Sequence, residues 1–293
     1  AALLGTKGEL LRGLLPSICA GVIMLTSAPA TAPAGDVANK HTQREFRLLE
    51  LGGRKVRWAL PADGLPPTIS YAFLTEPKQF PGARNCDSML PPSAALKRSG
   101  IEFTAFRNEV RAAFAAWAKA ANVTFRETTS VAEAGILIGA DAKARGRAFT
   151  NVALNEMSDR ASGNGLGSIR QSLICLNPQR PWKIGFDGNL DVYDVRFTVM
   201  HEIGHAIGLD HPSPEGQLMS FRYVEKAQGL QPGDIAGAVA LYGQPGALPA
   251  AHGASGHAAA TTGADSTADD PVRAREQNHA FGLGEPATPD EQR

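Results

Sequence analysis

The sequence predicts an α/β domain, in which strands alternate with helices, between about Thr68 and Gly243. Apolar residues recur at spacings of three and four over residues 105–121, which is typical of an amphipathic helix. Short apolar or alternating runs bounded by turn residues lie on both sides of that helix and indicate strands. The 293 residues suffice for one domain of up to about 200 residues with flanking segments.

The first stretch of the chain has the composition of an export signal. Two basic residues precede a mostly apolar run over residues 14–25, and small residues in A-x-A order follow. We therefore expect a signal peptide over residues 1–34 and a secreted or periplasmic protein. The run is too short for a transmembrane helix, so no stable membrane insertion is expected after cleavage. The alternative, a buried N-terminal helix, is disfavoured by Pro16 inside the run.

Three further segments follow from composition. Residues 35–67 are polar and proline-rich, which indicates a leader or short prosegment with strand character at 55–58. Residues 68–243 form the predicted compact domain. Residues 244–293 are dominated by Ala, Gly, Thr, Pro and Asp, which predicts a disordered tail.

The predicted elements of the compact domain follow one another without an internal repeat. Asp191 or Asp194 is placed to cap a helix over 195–209, and Asp234 lies in the first turn of the last helix. The elements are a strand at 69–73, the helix at 105–121, strands at 123–125 and 135–139, a loop at 156–168, a strand at 168–176, and helices at 195–209 and 232–243.

The charge balance limits which partners are expected, and the cysteine content indicates the cellular compartment. The chain has 29 basic and 29 acidic residues, so its net charge gives no indication of binding to nucleic acid or to an anionic membrane. Loss of the signal leaves two cysteines, Cys86 and Cys175. In an exported chain this pair predicts one disulfide, and two buried free thiols are the alternative.

The motif that carries chemistry is His-Glu-Ile-Gly-His-Ala-Ile-Gly-Leu-Asp-His at 201–211. Residues i and i+4 share a helix face, so His201 and His205 present their rings to one point, where a zinc ion would have two ligands. Glu202 can reach a water there rather than the metal itself. Gly208 permits the chain to turn away and bring His211 round as a third ligand, which leaves one position open, as in catalytic zinc sites. The alternatives are a chance match and a noncatalytic zinc site, and the presence of Glu202 argues against the latter.

This pattern resembles the metzincin zinc proteases, whose H-E-x-x-H-x-x-G-x-x-H motif it matches without a gap. Met219, eight residues past His211, is a candidate for the Met-turn of that clan, although core packing alone is an alternative. The resemblance implies a twisted, mainly parallel five-stranded sheet with three helices and a C-terminal Met-turn subdomain. It also implies a single catalytic zinc, a protein or peptide substrate, and a monomer.

Within that clan the chain is similar to the matrixins, the matrix metalloproteases and their bacterial relatives. The segments 208–211 and 234–243 both look like matrixin segments. Tyr223, four residues past Met219, matches the tyrosine that lines the family's S1′ pocket. Phe221 stands where the family usually has proline, which puts that pocket wall in doubt.

Other family features are absent or weak. The cysteine switch of matrixin prodomains has no match, because the surroundings of Cys86 fit it poorly. No histidine lies between His41 and His201, so the family's second, structural zinc lacks imidazole ligands. The segment Asp187–Asp191 alternates oxygen-bearing side chains, which suggests either a calcium loop or a turn with a helix cap.

Together these observations predict a secreted zinc-dependent metalloendopeptidase, in which Glu202 acts as general base on a water molecule. Two other functions stay open. One is a zinc-binding module without catalysis, and the other is a zinc amidohydrolase that acts on nonpeptide substrates.

Overall fold

A computed structural model describes residues 45–143, 146–155, 165–212, 215–226, 228–246 and 279–281. Within these ranges it contains four α-helices and one 3₁₀ turn at Lys97–Ser99. The helices are α1 (Ser93–Leu96), α2 (Phe103–Ala120), α3 (Val195–Ala206) and α4 (Pro232–Tyr242). The strands are β1 (Arg47–Leu48), β2 (Glu50–Leu51), β3 (Arg54–Trp58), β4 (Thr68–Phe73), β5 (Lys78–Gln79), β6 (Ser88–Leu90), β7 (Thr124–Glu127), β8 (Ile136–Asp141), β9 (Ala148–Leu154), β10 (Gly167–Leu176), β11 (Trp182–Lys183), β12 (Tyr193–Asp194), β13 (Leu209–Asp210) and β14 (His279–Phe281).

The central sheet contains ten strands in the described ranges, and its main path follows the order β7-β4-β8-β10-β9 and then the short β14. The first four are mutually parallel, and β9 runs antiparallel to β10. Every residue of β8 is buried, which explains its continuous apolar sequence, since a central parallel strand is covered on both faces. The predicted α/β class with a mainly parallel sheet is confirmed.

Helix α2 packs against the sheet and against α3 through its apolar stripe. Phe106, Val110, Phe114 and Trp117 are all buried, as their spacing predicts. The indole Nε1 of Trp117 donates a hydrogen bond to the carbonyl of Met200 at 2.8 Å. This bond ties α2 directly to the helix that carries the histidine motif.

The described part of the predicted leader, residues 45–67, contributes to this core. Strand β3 pairs in parallel with β10, and β1 pairs antiparallel with β13. Leu49, Leu51 and Val56 are at most 1% exposed. Strands of two residues are too short to show an alternating pattern, so composition alone suggested a separate segment. The described part of residues 35–67 therefore packs with the compact domain.

The tail contributes one short strand. Residues 279–281 pair antiparallel with β9, whereas composition predicts disorder throughout residues 244–293. Backbone pairing at an open sheet edge needs no apolar sequence, which is why composition misses it. The predicted signal peptide, residues 156–164 of the predicted loop and most of the tail lie outside the described residues. No helix in the described ranges is long and apolar enough to cross a bilayer.

The two cysteines lie next to each other in space. Cys86 precedes β6 and forms a disulfide bond with Cys175 of β10, across a sequence separation of 89 residues. Both are fully buried in a small apolar cluster on one face of the sheet, with Met89, Leu137 and Leu173. The bond links the loop region after β4 to the centre of the sheet.

Candidate metal centre

Three histidine rings converge below the sheet. The Nε2 atoms of His201, His205 and His211 form a triangle in which every side is 3.1 Å. His201 and His205 are fully buried within α3, and His211 is partly exposed. This is the one group of three or more possible metal-ligating side chains among the described residues.

The partners of the other ring nitrogens fix the chemistry of this triangle. The Nδ1 atom of His201 lies 2.8 Å from the carbonyl of Leu218, and that of His205 lies 2.9 Å from the carbonyl of Leu209. A carbonyl only accepts, so each Nδ1 carries the proton and each Nε2 presents a lone pair. Lone pairs that face one another at 3.1 Å repel unless a cation lies between them, and this spacing suits nitrogen ligands about 2.0–2.1 Å from zinc.

Burial keeps these rings in the form that binds metal. Loss of hydration, reinforced by the neighbouring His211, lowers the pKa of His201 to about 3. Burial likewise lowers the pKa of His205 well below its ordinary value and lowers that of His211. Neutral imidazole is the metal-ligating state, so this residue set fits a bound zinc ion.

Helix α3 is held at its beginning by Asp194. Its side chain accepts a hydrogen bond from the amide of Phe197 at 2.8 Å, which is the N-cap arrangement, so Asp194 rather than Asp191 is the cap. Gly204, two residues before the end of α3, faces the side chain of Met219. A Cβ atom at Gly204 would lie 2.1 Å from the Met219 sulfur, so a larger residue would displace the methionine side chain.

The chain leaves α3 at Gly208, earlier than the predicted helix end at residue 209. Gly208 has φ +109°, and a Cβ there would lie 2.3 Å from the carbonyl oxygen of Val56. Both facts demand glycine. The Trp58 indole donates to the carbonyl of Ala206, and the Tyr242 hydroxyl donates to that of Ile207. The exit toward the third histidine is therefore fixed by β3 and α4.

Strand β1 supports the third histidine itself. It pairs with β13, which immediately precedes His211. The Asp210 carboxylate accepts the amide of His211 at 2.8 Å and pairs with Arg47 at 3.0 Å. Sequence reasoning missed this support, because nothing in the composition of residues 35–67 indicates pairing with the motif.

Glu202 lies beside the histidine triangle and is fully buried. Its carboxylate Oε2 accepts a hydrogen bond from the hydroxyl of Thr150 at 2.7 Å. Thr150 is fully buried in β9, which the sequence did not reveal as a strand. This buried hydroxyl, which also lies 3.0 Å from the backbone carbonyl of Glu202, thus orients the Glu202 carboxylate.

Met219, the candidate for a Met-turn, packs against the helix that carries His201 and His205. It is 2% exposed and contacts Gly204 as described above. The carboxylate of Asp234 accepts hydrogen bonds from the amides of Leu218, Met219 and Gln231 at 2.8–3.0 Å. Burial nevertheless raises the pKa of Asp234. One side chain at the start of α4 thereby holds the turn that supports the metal ligands.

Tyr223 is buried away from the histidine triangle. Its ring stacks on Tyr193 with centroids 4.1 Å apart and meets Phe197 edge-on. Its hydroxyl accepts the amide of Asp194 and donates to Glu225. Phe221, the residue in place of the usual proline, is exposed, with its ring centroid 5.3 Å from that of His211. Tyr223 therefore supports the start of α3, and a part in a substrate pocket stays a prediction.

The candidate calcium loop is organised by an ammonium group. Lys183 contacts the carboxylate of Asp187, the carbonyl of Asn189 at 2.7 Å and the carboxylate of Glu225 at 2.5 Å. Burial alone would lower the pKa of Lys183, but its hydrogen bonds to Asp187 and Glu225 raise it overall. Lys183 thus already pairs the Asp187 carboxylate and the Asn189 carbonyl of this loop, and nothing in the described residues supports a calcium ion there.

The mainly parallel sheet and the histidine triangle place the chain among the metzincins. Comparison with known families gives the narrower assignment. The family model described as Matrixin matches residues 95–243, just over half of the 293 residues. The chain therefore belongs to the matrixin family.

Curated relatives agree with this assignment. A probable matrix metalloproteinase, 095L of Invertebrate iridescent virus 3, is 26% identical over 151 residues, covering 50% of this chain and 39% of the relative. Metalloendoproteinase 4-MMP of Arabidopsis thaliana is 26% identical over 204 residues, covering 64% and 56%. Matrix metalloproteinase-16 of Homo sapiens is 31% identical over 77 residues, covering 25% and 12%. The chain spans less than two thirds of the length of each of these relatives.

Proposed function

We propose that the chain is an exported zinc-dependent endopeptidase that hydrolyses peptide bonds in proteins. The observation that carries this proposal is the 3.1 Å triangle of Nε2 atoms, two of them bearing lone pairs, with Glu202 beside it. Membership of the matrixin family supports the same function.

The residues that would hold the zinc ion are His201, His205 and His211. When bound there, zinc supplies Lewis acidity that polarises a carbonyl group and lowers the pKa of water. The carbonyls of Leu218 and Leu209 keep the His201 and His205 rings in the ligating tautomer. Met219 and Asp234 support the ligands from below.

Glu202 is proposed as the general base. Its carboxylate accepts a proton from the attacking water and returns it to the departing amine, so one group serves both halves of the hydrolysis. The Thr150 hydroxyl fixes the direction of this carboxylate. Burial of both residues keeps bulk water from solvating the carboxylate, which strengthens its interactions with the reacting atoms.

The substrate is proposed to bind as an added strand along β9. Apart from the three-residue tail strand β14, this strand is the outermost of the central sheet on that side, and its Thr150 lies next to Glu202. A peptide that pairs with β9 would satisfy its backbone groups by main-chain hydrogen bonds and place a scissile carbonyl near the histidines. Recognition through the main chain suits protein substrates of varied sequence.

The proposed catalytic domain begins before Arg47 and ends near Gly243, because β1 to β3 contribute to the core and to the support of α3. Export is supported by the disulfide between Cys86 and Cys175, since such bonds persist in oxidising compartments. We propose that residues 1–34 are the signal peptide and that the protein acts as a monomer.

Casein digestion tests the proposed function. The purified chain should release peptides, a zinc chelator should stop the release, and one equivalent of zinc should restore it. A chain that binds zinc but cleaves no casein would favour the noncatalytic zinc module. Hydrolysis of simple amides without cleavage of casein would favour the amidohydrolase.

A further inference from the structure

The tail of the chain pairs with the strand next to Glu202. In the antiparallel register of β14 and β9, His279 lies opposite Val152, Ala280 opposite Asn151 and Phe281 opposite Thr150. The other side of β9 is paired with β10 along residues 148–154. The tail therefore pairs with the other side of β9 at residues 150–152.

This position is close to the proposed chemistry. Neighbouring strands lie about 4.8 Å apart, so the backbone of Phe281 runs one strand spacing from that of Thr150. The Thr150 side chain in turn donates to the Glu202 carboxylate at 2.7 Å. A segment paired at Thr150 thus passes beside the catalytic centre.

We propose that residues 279–281 act as an internal competitor that occupies the peptide-binding edge of β9. The proposal rests on the proposed function, in which a substrate adds to the same edge as a strand. One edge offers a single row of hydrogen-bonding groups, so the tail and a substrate exclude each other there. The occupant is this chain's own tail, and its attachment to the domain makes it a competitor of high effective concentration.

The competition has a defined kinetic form. A pairing of three residues is short, so the tail is displaced by substrate rather than acting as a permanent block. Because substrate and tail bind the same edge, release of the tail lowers the apparent KM and leaves kcat unchanged. A tail that only shields an exposed edge outside the binding site would change neither constant.

Proline substitutions in the full-length protein test this inference. Successive amides of a strand point in opposite directions, so Ala280→Pro with Phe281→Pro removes at least one amide that faces β9. Ala258→Pro with Ala259→Pro is the matched control, since it adds the same number of prolines to the tail outside β14. Each protein is assayed for zinc content, for kcat and KM on a casein-derived peptide, and for hydrogen exchange of the amides of β9.

We expect the 280/281 variant to show an apparent KM lower by about three- to tenfold, an unchanged kcat and faster exchange along β9. The 258/259 control should match the wild type. An unchanged KM in the 280/281 variant would overturn the inhibitory role, whether or not exchange changes, and would leave the proposed function intact. If no protein cleaves the peptide, the proposed function fails and the inhibitory role fails with it, while exchange still reports whether the tail pairs with β9.

Discussion

The hydroxyl of Thr150 donates a 2.7 Å hydrogen bond to the carboxylate of Glu202, and both side chains are fully buried. This contact joins β9 to the histidine-bearing helix. It makes Thr150 a positioning residue for the proposed general base.

Thr150→Val should lower kcat by about ten- to a hundredfold with little change in KM, because a charge-assisted hydrogen bond contributes about 1.5–3 kcal/mol. Valine keeps the shape and the strand preference of threonine. Thr150→Ser is the control, since it keeps the hydroxyl, and it should retain most of the activity. Equal losses in the two variants would show that Thr150 acts through packing alone.

Asp234→Asn should weaken both the fold and the zinc site. The amide side chain has one acceptor oxygen where the carboxylate has two, so at least one of the buried amides of Leu218, Met219 and Gln231 loses its partner. Each such loss costs about 1–3 kcal/mol. Thermal unfolding and competitive zinc titration measure the effect, with Asp63→Asn as a control at an exposed turn. Matching values for the two variants would argue against this role of Asp234.

The disulfide between Cys86 and Cys175 should stabilise the domain by about 2–5 kcal/mol, because it closes a long loop in the unfolded chain. The double variant Cys86→Ala with Cys175→Ala should unfold at correspondingly lower denaturant concentration. Mass spectrometry without reductant should find the two cysteine peptides linked. Labelling of both cysteines by a thiol reagent in the unreduced protein would contradict the bond.

Lys183→Met should lower the melting temperature by on the order of 3 °C, because the oxygens of Asp187, Asn189 and Glu225 lose their shared ammonium partner. Lys226→Met is the control, since Lys226 is exposed. A calcium-selective chelator should leave the melting temperature of the wild type unchanged. Marked stabilisation of the wild type by added calcium would refute this interpretation of the loop.

The sequence revealed those parts of the molecule that depend on local spacing. The position of His201 and His205 on one helix face follows from helix periodicity, and the stripe ending at Trp117 follows from the same rule. The exit at Gly208 was also visible, since few other residues tolerate its conformation. The structure ends the helix earlier than predicted because partners from β3 and α4 take up its last carbonyls.

Contacts between segments that are distant in the sequence could not be predicted from local residue spacing. Strand β9 was missed because the buried polar residues Thr150 and Asn151 interrupt its apolar pattern. The two-residue strands β1 and β2 are too short to show a period, although β1 supports His211; of this segment only the strand at 55–58 was visible in the sequence. The role of Lys183 was invisible, because an ammonium and its three oxygen partners have no fixed sequence spacing.

Glu202→Gln tests the central claim most directly, because glutamine keeps the size of glutamate and removes its basicity. Zinc content by elemental analysis and cleavage of casein are measured on the same preparations of wild type and variant. We predict one zinc per chain in both proteins, and a loss of cleavage of at least about a hundredfold in the variant. Substantial cleavage by the Glu202→Gln protein, or a zinc-free wild type that cleaves equally well, would contradict the account.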